Sequence, residues 1–317
     1  MSDTLQSNPG SEVENQSPPT SSPIRISYIT EQTSHHPPVS AYWITCPSKQ
    51  ITAYGFDQLS AKFTGTAIKV TPGAHNLGIF INLNTRDNEE YQLTHPIAQL
   101  GGLIRGSLSV TVSDTCFIKC PKSRMKVILH YLEESWLGKT QNKVHGVIYT
   151  YDPSNDRYTK IKEVPEADVL ARLEGCWHDK IHYTLSNRDG GSGGGGGPAA
   201  KPQLLLDLTP LMPSPKLIPP EDHQLPNESR RFWRDVTTAI LEKKWGQATK
   251  LKQDLEEEQR QKTKAREQAG KDWRPRFFTQ ALNEDGRPEL SEQGRKAVEG
   301  LLRGEWDLEP NSGENLT

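Results

Sequence analysis

Residues 103–132 read LIRGSLSVTVSDTCFIKCPKSRMKVILHYL. Apolar and polar residues alternate through 103–120 and again through 126–132, with the turn-forming PKSR between them. A period of two, rich in β-branched residues, is the pattern of half-buried strands. The same texture repeats outward from this pair: at 24–30, 40–45, 50–56, 60–70, 77–83 and 90–94 before it, and at 143–151 and 171–183 after it. Roughly ten short strands on about 160 residues predict an antiparallel meander, closed as a barrel or folded as a sandwich, large enough for a strongly curved sheet to hold a ligand inside.

The flanks have a different composition. Residues 1–23 are rich in Ser, Pro, Asn and Glu and read as a disordered segment. Residues 189–198, DGGSGGGGGP, form a flexible stretch inside a Gly/Pro-rich linker spanning 186–226, whose prolines at 210, 213, 215, 219 and 220 exclude helix. Helical periodicity returns over 227–303. Phe232, Val236, Ile240 and Leu241 make an apolar stripe expected to dock on the sheet. A charged helix is expected over 245–269, stopped by Gly270, followed by aromatic anchors at Trp273, Phe277 and Phe278. Ser291 can cap a last helix over 292–303, and 304–317 should fray.

Composition removes several function classes. With 38 Lys+Arg against 40 Asp+Glu the formal charge is −2, so no global field draws the chain to nucleic acid or to an anionic bilayer, and any anion site must be local. The apolar runs are far shorter than the ~20 residues that cross a bilayer, and the N-terminus lacks the blocks of a signal peptide. A monomeric, cytoplasmic protein is the expectation. The four cysteines are too few for a disulfide scaffold. Cys116 and Cys120 would stand about 13 Å apart along a strand, too far for one tetrahedral ion, so reduced thiols are expected. No GxSxG, P-loop or Rossmann fingerprint occurs, and no nucleophile has a visible base. The sequence therefore predicts no enzyme, no cofactor and no metal.

Two constellations suit anions. In EQTSHHPP, residues 31–38, Pro37 and Pro38 stiffen the segment that presents His35 and His36 between two strands. Imidazoles near neutral pH donate to phosphate and gain charge beside it. The residues alone equally allow a structural loop whose imidazoles satisfy backbone carbonyls. The second is KLKQDLEEEQRQKTKAR. Residues 230–276 carry 14 Lys+Arg and 8 Asp+Glu, a local +6. Lys252, Glu256 and Arg260 stand at i, i+4 and i+8 on one helical face, where Glu256 could hold both cations while their outer donors meet a phosphate. An ordinary solvated helix has the same pattern. The neighbouring acids Glu256, Glu257 and Glu258 would repel a nucleic acid along the helix.

EQTSHHPP resembles the signature of the oxysterol-binding protein family, which has Val where this chain has Thr33. KQDLEEEQR and DWRPRFF resemble that family's C-terminal region, NESRRFW the start of its C-terminal helices, and LEGCWHDKI, with Trp177, a strand that closes its barrel. The resemblance implies a mainly β fold with α-helices: a large antiparallel, incomplete β-barrel over 24–185 enclosing a lipid tunnel, followed by helices. It implies that His35, His36, Lys252 and Arg260 donate to the phosphates of phosphatidylinositol 4-phosphate while Glu256 orients its neighbours. It further implies exchange of that lipid for a second one, sterol or phosphatidylserine, by a protein peripherally associated with organelle or plasma membranes. The family's lid, upstream helices and leucine-glycine-glutamate segment find no match in residues 1–23, so a domain lacking its lid is expected. The competing expectation is a regulatory or scaffold protein that binds headgroups without transferring lipid.

Overall fold

The computed structural model describes residues 24–102, 106–133, 142–186 and 200–305. The N-terminal segment 1–23, the glycine linker at 189–198 and residues 306–317 lie outside these residues. The first strands are β1 Ser27–Ser34, β2 Val39–Cys46, β3 Ile51–Asp57, β4 Leu59–Phe63, β5 Ile68–Pro72, β6 Ile79–Leu83 and β7 Glu89–Leu93. They are followed by β8 Ile97–Gly101, β9 Ser109–Cys120, β10 Met125–Tyr131, β11 Lys143–Thr150, β12 Val169–Cys176, β13 Lys180–Leu185 and β14 Gln203–Asp207. Helices α1 Ser229–Phe232, α2 Arg234–Leu241, α3 Trp245–Gln268 and α4 Glu292–Arg303 complete the chain.

All strand pairs are antiparallel, in the order β1-β2-β3-β6-β7-β9-β10-β11-β12-β13-β14, with β4, β5 and β8 forming a branch on β9. Among the described residues the sheet does not close: β1 and β14 are the ends of its main path. The branch arises because β9 is long enough for two sets of partners. Its residues Ser109–Ser113 pair with β8, and Asp114–Cys120 pair with β10. The change of partner falls at Asp114, which has a φ of 75° and accepts the Thr115 amide on its own carboxylate at 2.8 Å. Asp is among the few residues that tolerate the left-handed region.

Two segments read as single strands are hairpins. The 60–70 run turns at Gly65, φ 94°, and becomes β4 and β5. The 171–183 run turns after Cys176 into β12 and β13, so Trp177 lies in the turn, where its amide donates to the Asn142 carbonyl at 2.9 Å. Strands β8 and β14 escaped the pattern altogether. β14 lies inside the proline-rich stretch and exists because β13 offers it an edge.

The helical stripe also docks elsewhere than expected. α2 packs on α3, burying Val236, Ala239 and Ala248, and leaves Ile240 and Leu241 exposed. α3 ends where Gly270 takes a φ of 64°, and α4 starts at Ser291, whose hydroxyl accepts the Gly294 amide at 3.0 Å. The cysteines are free. Burial pushes the Cys116 thiol up to about 11.

Cross-strand register assigns each residue to one of two faces. One face carries two cores. In the first, Ile29, Val39, Ala41 and Phe56 pack against Phe278, Leu290 and Val298 of the C-terminal segment. In the second, Ile128, Val147 and Tyr149 meet Tyr151, Val164 and Val169, with Tyr158 and Ile161 of the loop after β11 against them. That loop is anchored by charge. Lys126, 3% exposed at its side chain, donates to Asp156 at 2.5 Å and to the Tyr158 carbonyl at 2.7 Å, while Lys119 reaches Asp156 at 2.7 Å. Burial works to raise the Asp156 carboxyl, but the two lysines outweigh it and hold the group below its ordinary value. Asp156→Asn leaves the Lys126 charge without its counter-ion and is expected to cost about 3 kcal/mol at neutral pH. Because the folded carboxyl is depressed, its contribution is present above about pH 4 and is lost as pH falls through the folded value. Denaturant titrations of variant and wild type should therefore converge in acid.

Candidate lipid-headgroup site

The second face of the sheet is the one left open. Register joins Tyr28, Ile44, Ala53 and Ile81 across β1, β2, β3 and β6. It joins Leu93, Ile118, Val127, Ile148, Ala171 and Leu185 across β7 and β9 to β13. Ile44, Ala53, Ile81, Leu93, Ile118, Val127 and Ile148 are all only half-buried. A continuous apolar face of this extent in partial contact with water is a binding surface. It grades into polarity toward the β1–β2 turn. The row Tyr28–Ile44–Ala53 is followed by Thr30–Tyr42–Gly55 and then by Gln32–Ser40–Asp57. Gly55 is required there because a Cβ would lie 2.6 Å from the Tyr42 hydroxyl and 2.8 Å from the Gly78 carbonyl oxygen.

His35 and His36 occupy the turn at this polar end. Both are exposed, with ring centroids 4.3 Å apart. On α3, Lys252 donates to Glu256. Arg260 turns instead to Glu257, at 2.9 Å, so Glu256 does not bridge two cations as the spacing suggested. The hydrogen bond from Lys252, then the charges of Lys252, Arg260 and His35, outweigh burial and hold the Glu256 carboxyl below its ordinary value. Among the charges acting on Glu256 is that of His35, more than 200 residues away in sequence.

Glu31 ties β1 to the segment after α3, and the sequence reading missed it. Its carboxylate oxygens accept the backbone amides of Arg276 at 2.7 Å and Phe277 at 2.8 Å. Burial raises the Glu31 carboxyl, against the downward pull of these amides and of the Arg276 guanidinium. The Ser291 hydroxyl donates to the Arg276 carbonyl at 2.6 Å, and the Ser291 amide donates to the Phe277 carbonyl at 2.9 Å. Gly294 must be glycine, since a Cβ would stand 2.1 Å from that Phe277 oxygen. The available signal was period two: Ser27, Ile29, Glu31 and Thr33 share the covered face, so a carboxylate among buried residues needed donors. Of the expected aromatic anchors, Phe278 is buried and Phe277 partly so, while Trp273 is 42% exposed.

An open antiparallel sheet, apolar along one face and cationic at its polar end, defines a module that takes an amphiphile. The family model described as oxysterol-binding protein matches residues 18–298. The chain belongs to the oxysterol-binding protein family. It is 46% identical over 281 residues to oxysterol-binding protein-like protein 1 of Schizosaccharomyces pombe, covering 89% of this chain and 52% of that protein. It is 30% identical over 261 residues to oxysterol-binding protein-related protein 5 of Mus musculus, covering 79% of this chain and 26% of that one. The chain thus spans about half, or less, of these relatives. The Osh1 ORD domain in complex with ergosterol superposes with a TM-score of 0.62 at 18% identity, over 91% of this chain and 68% of that one. The Osh3 ORD in complex with PI(4)P from Saccharomyces cerevisiae gives 0.57 at 18%, over 89% and 68%.

Two substitutions test the local architecture. Glu31→Ala should speed hydrogen exchange at the Arg276 and Phe277 amides by at least an order of magnitude, since each would lose a charge-assisted bond. Thr33 is 1% exposed and its hydroxyl has no hydrogen-bond partner among the described residues. Thr33→Val should raise the melting temperature, by about 1 kcal/mol of stability, because an orphaned buried hydroxyl is removed at constant shape.

Proposed function

We propose that this chain binds and transfers lipids, holding the headgroup of phosphatidylinositol 4-phosphate at His35, His36, Lys252, Glu256 and Arg260 and its acyl chains along the open apolar face. The observation that carries the reading is the exposed His35–His36 pair, ring centroids 4.3 Å apart, at the polar end of that face. The imidazoles, Lys252 and Arg260 supply donors to phosphate. Glu256 keeps Lys252 extended along the helix and offsets part of the positive charge when no anion is bound. No covalent step is required: the protein lowers the cost of moving an amphiphile through water by covering its chains and replacing the hydration of its headgroup.

Ligands named for the solved relatives support a two-lipid cycle. The Osh1 ORD domain is held with ergosterol and with cholesterol, and the Osh3 ORD with PI(4)P. A sterol and a phosphoinositide competing for one apolar face would exclude each other, and their alternation would give exchange between membranes. We take the second lipid to be a sterol or phosphatidylserine and the protein to act as a monomer in transient contact with membrane surfaces; the sterol complexes support the first of these lipids.

The replacement of His35 and His36 by alanine together should reduce extraction of phosphatidylinositol 4-phosphate from vesicles by on the order of a hundredfold, two charge-assisted bonds being lost. Uptake of a fluorescent sterol, which needs only the apolar face, should be retained. Equal phosphoinositide extraction by variant and wild type would remove the histidines from the site. Vesicle binding by the wild type without any extraction would favour a scaffold over a transfer protein.

A further inference from the structure

The turn between α2 and α3 exposes side chains that soluble surfaces usually cover. Leu241 is 78% exposed, Trp245 61% and Ile240 45%, and all three lie within six residues at the tip of the helical hairpin. The hairpin interior is already filled by Val236, Ala239 and Ala248, so these side chains are surplus to the packing of the pair. Lys243, Lys244 and Lys250 stand among them against one acid, Glu242, which pairs with Lys244 at 2.7 Å. Lys243 and Lys250 form no ion pair with a described residue, and the tip carries a net +2 over residues 240–250.

We propose that this tip is a docking surface for an anionic bilayer. Leucine and isoleucine gain by leaving water, tryptophan settles at the level of the headgroups, and lysines whose stems lie along the apolar surface keep their ammonium groups among lipid phosphates and carboxylates. Three apolar side chains make a shallow contact that releases readily, as a protein visiting more than one membrane requires. A protein partner would more often meet a patch with a polar rim of both signs; here the free charges are cationic.

The position of the tip supports the assignment, which rests on the phosphoinositide reading above. Trp245 opens α3, and Lys252 and Glu256 follow on the same helix, about 10 Å and about 16 Å along its axis. A tip seated in the headgroup layer would hold those residues within one lipid-headgroup excursion of the membrane, so that a phosphoinositide need not be lifted far to reach them.

Flotation of the full chain with vesicles of phosphatidylcholine and phosphatidylserine, containing no phosphoinositide, tests the docking surface apart from the headgroup site. The wild type should float with these vesicles and much less with phosphatidylcholine alone. Leu241→Ser/Trp245→Ser should lower flotation on the order of tenfold, the loss of part of two apolar transfers. Lys243→Glu should lower it only where phosphatidylserine is present. Affinity for a water-soluble short-chain phosphatidylinositol 4-phosphate should be unchanged in all variants. Undiminished flotation of the double variant, or a matching fall in short-chain binding, would overturn the proposal. Absent short-chain binding in the wild type with flotation intact would instead overturn the phosphoinositide reading alone.

Discussion

A partly buried carboxylate ties the first strand to the C-terminal segment of this chain. Glu31 accepts two consecutive backbone amides, at Arg276 and Phe277, from a segment that follows α3 and precedes α4. Neither amide belongs to a regular element, so without Glu31 both would be donors in search of acceptors in a half-buried place. The carboxylate in turn has little water, which is why burial raises it despite the amides. Each side needs the other. Ser291 and Gly294 then fix α4 on the same short segment. A second tie lies farther along, where the Arg287 guanidinium grips Glu90 at 2.7 Å and rests over the Phe80 ring at 4.2 Å.

The constraint explains how a charged helix with one buried residue can have a defined place. α3 buries only Ala248, so packing contributes little to its position. It is held instead at its ends: at the start by the α2–α3 pair, and at the finish by the chain that runs from Gly270 to the Glu31 clasp. His35 and His36 follow Glu31 by four and five residues, in the turn after β1. The strand that anchors the C-terminal segment therefore also presents His35 and His36, and any shift of one carries the other.

Much of this was legible in the sequence, and the failures have physical causes. Alternation revealed the strands of the main sheet because one face is packed and the other half-wet. It missed β8 and β14, since a short strand at an edge is created by its partner's free backbone groups as much as by its own residues. It fused β4 with β5 and β12 with β13 because apolar alternation continues through both turns. The stripe on α2 was real, but periodicity states only that a face is apolar, not what covers it; the cover is α3 for Val236 and Ala239, and nothing in the described chain covers Leu241. At the candidate site the motif resemblance named five residues, of which the fold sets His35 and His36 side by side in an exposed turn and Lys252, Glu256 and Arg260 along α3. The Glu31 clasp is invisible to any local pattern because its partners are backbone amides some 245 residues away.

On the proposed headgroup reading, the ion pairs on α3 suit a helix that surrenders its cations to a ligand. Lys252 with Glu256, Arg260 with Glu257 and Lys262 with Glu258 are exposed pairs within about three turns, and each contributes little to stability. Such pairs cost little to break, yet they keep the long side chains extended along the helix and prevent four or five like charges from repelling one another. In that reading a phosphate beside His35 would offer Lys252 and Arg260 one acceptor in place of the separate carboxylates of Glu256 and Glu257. The exchange would cost the protein little, and the acids left behind would oppose too tight a hold on that phosphate.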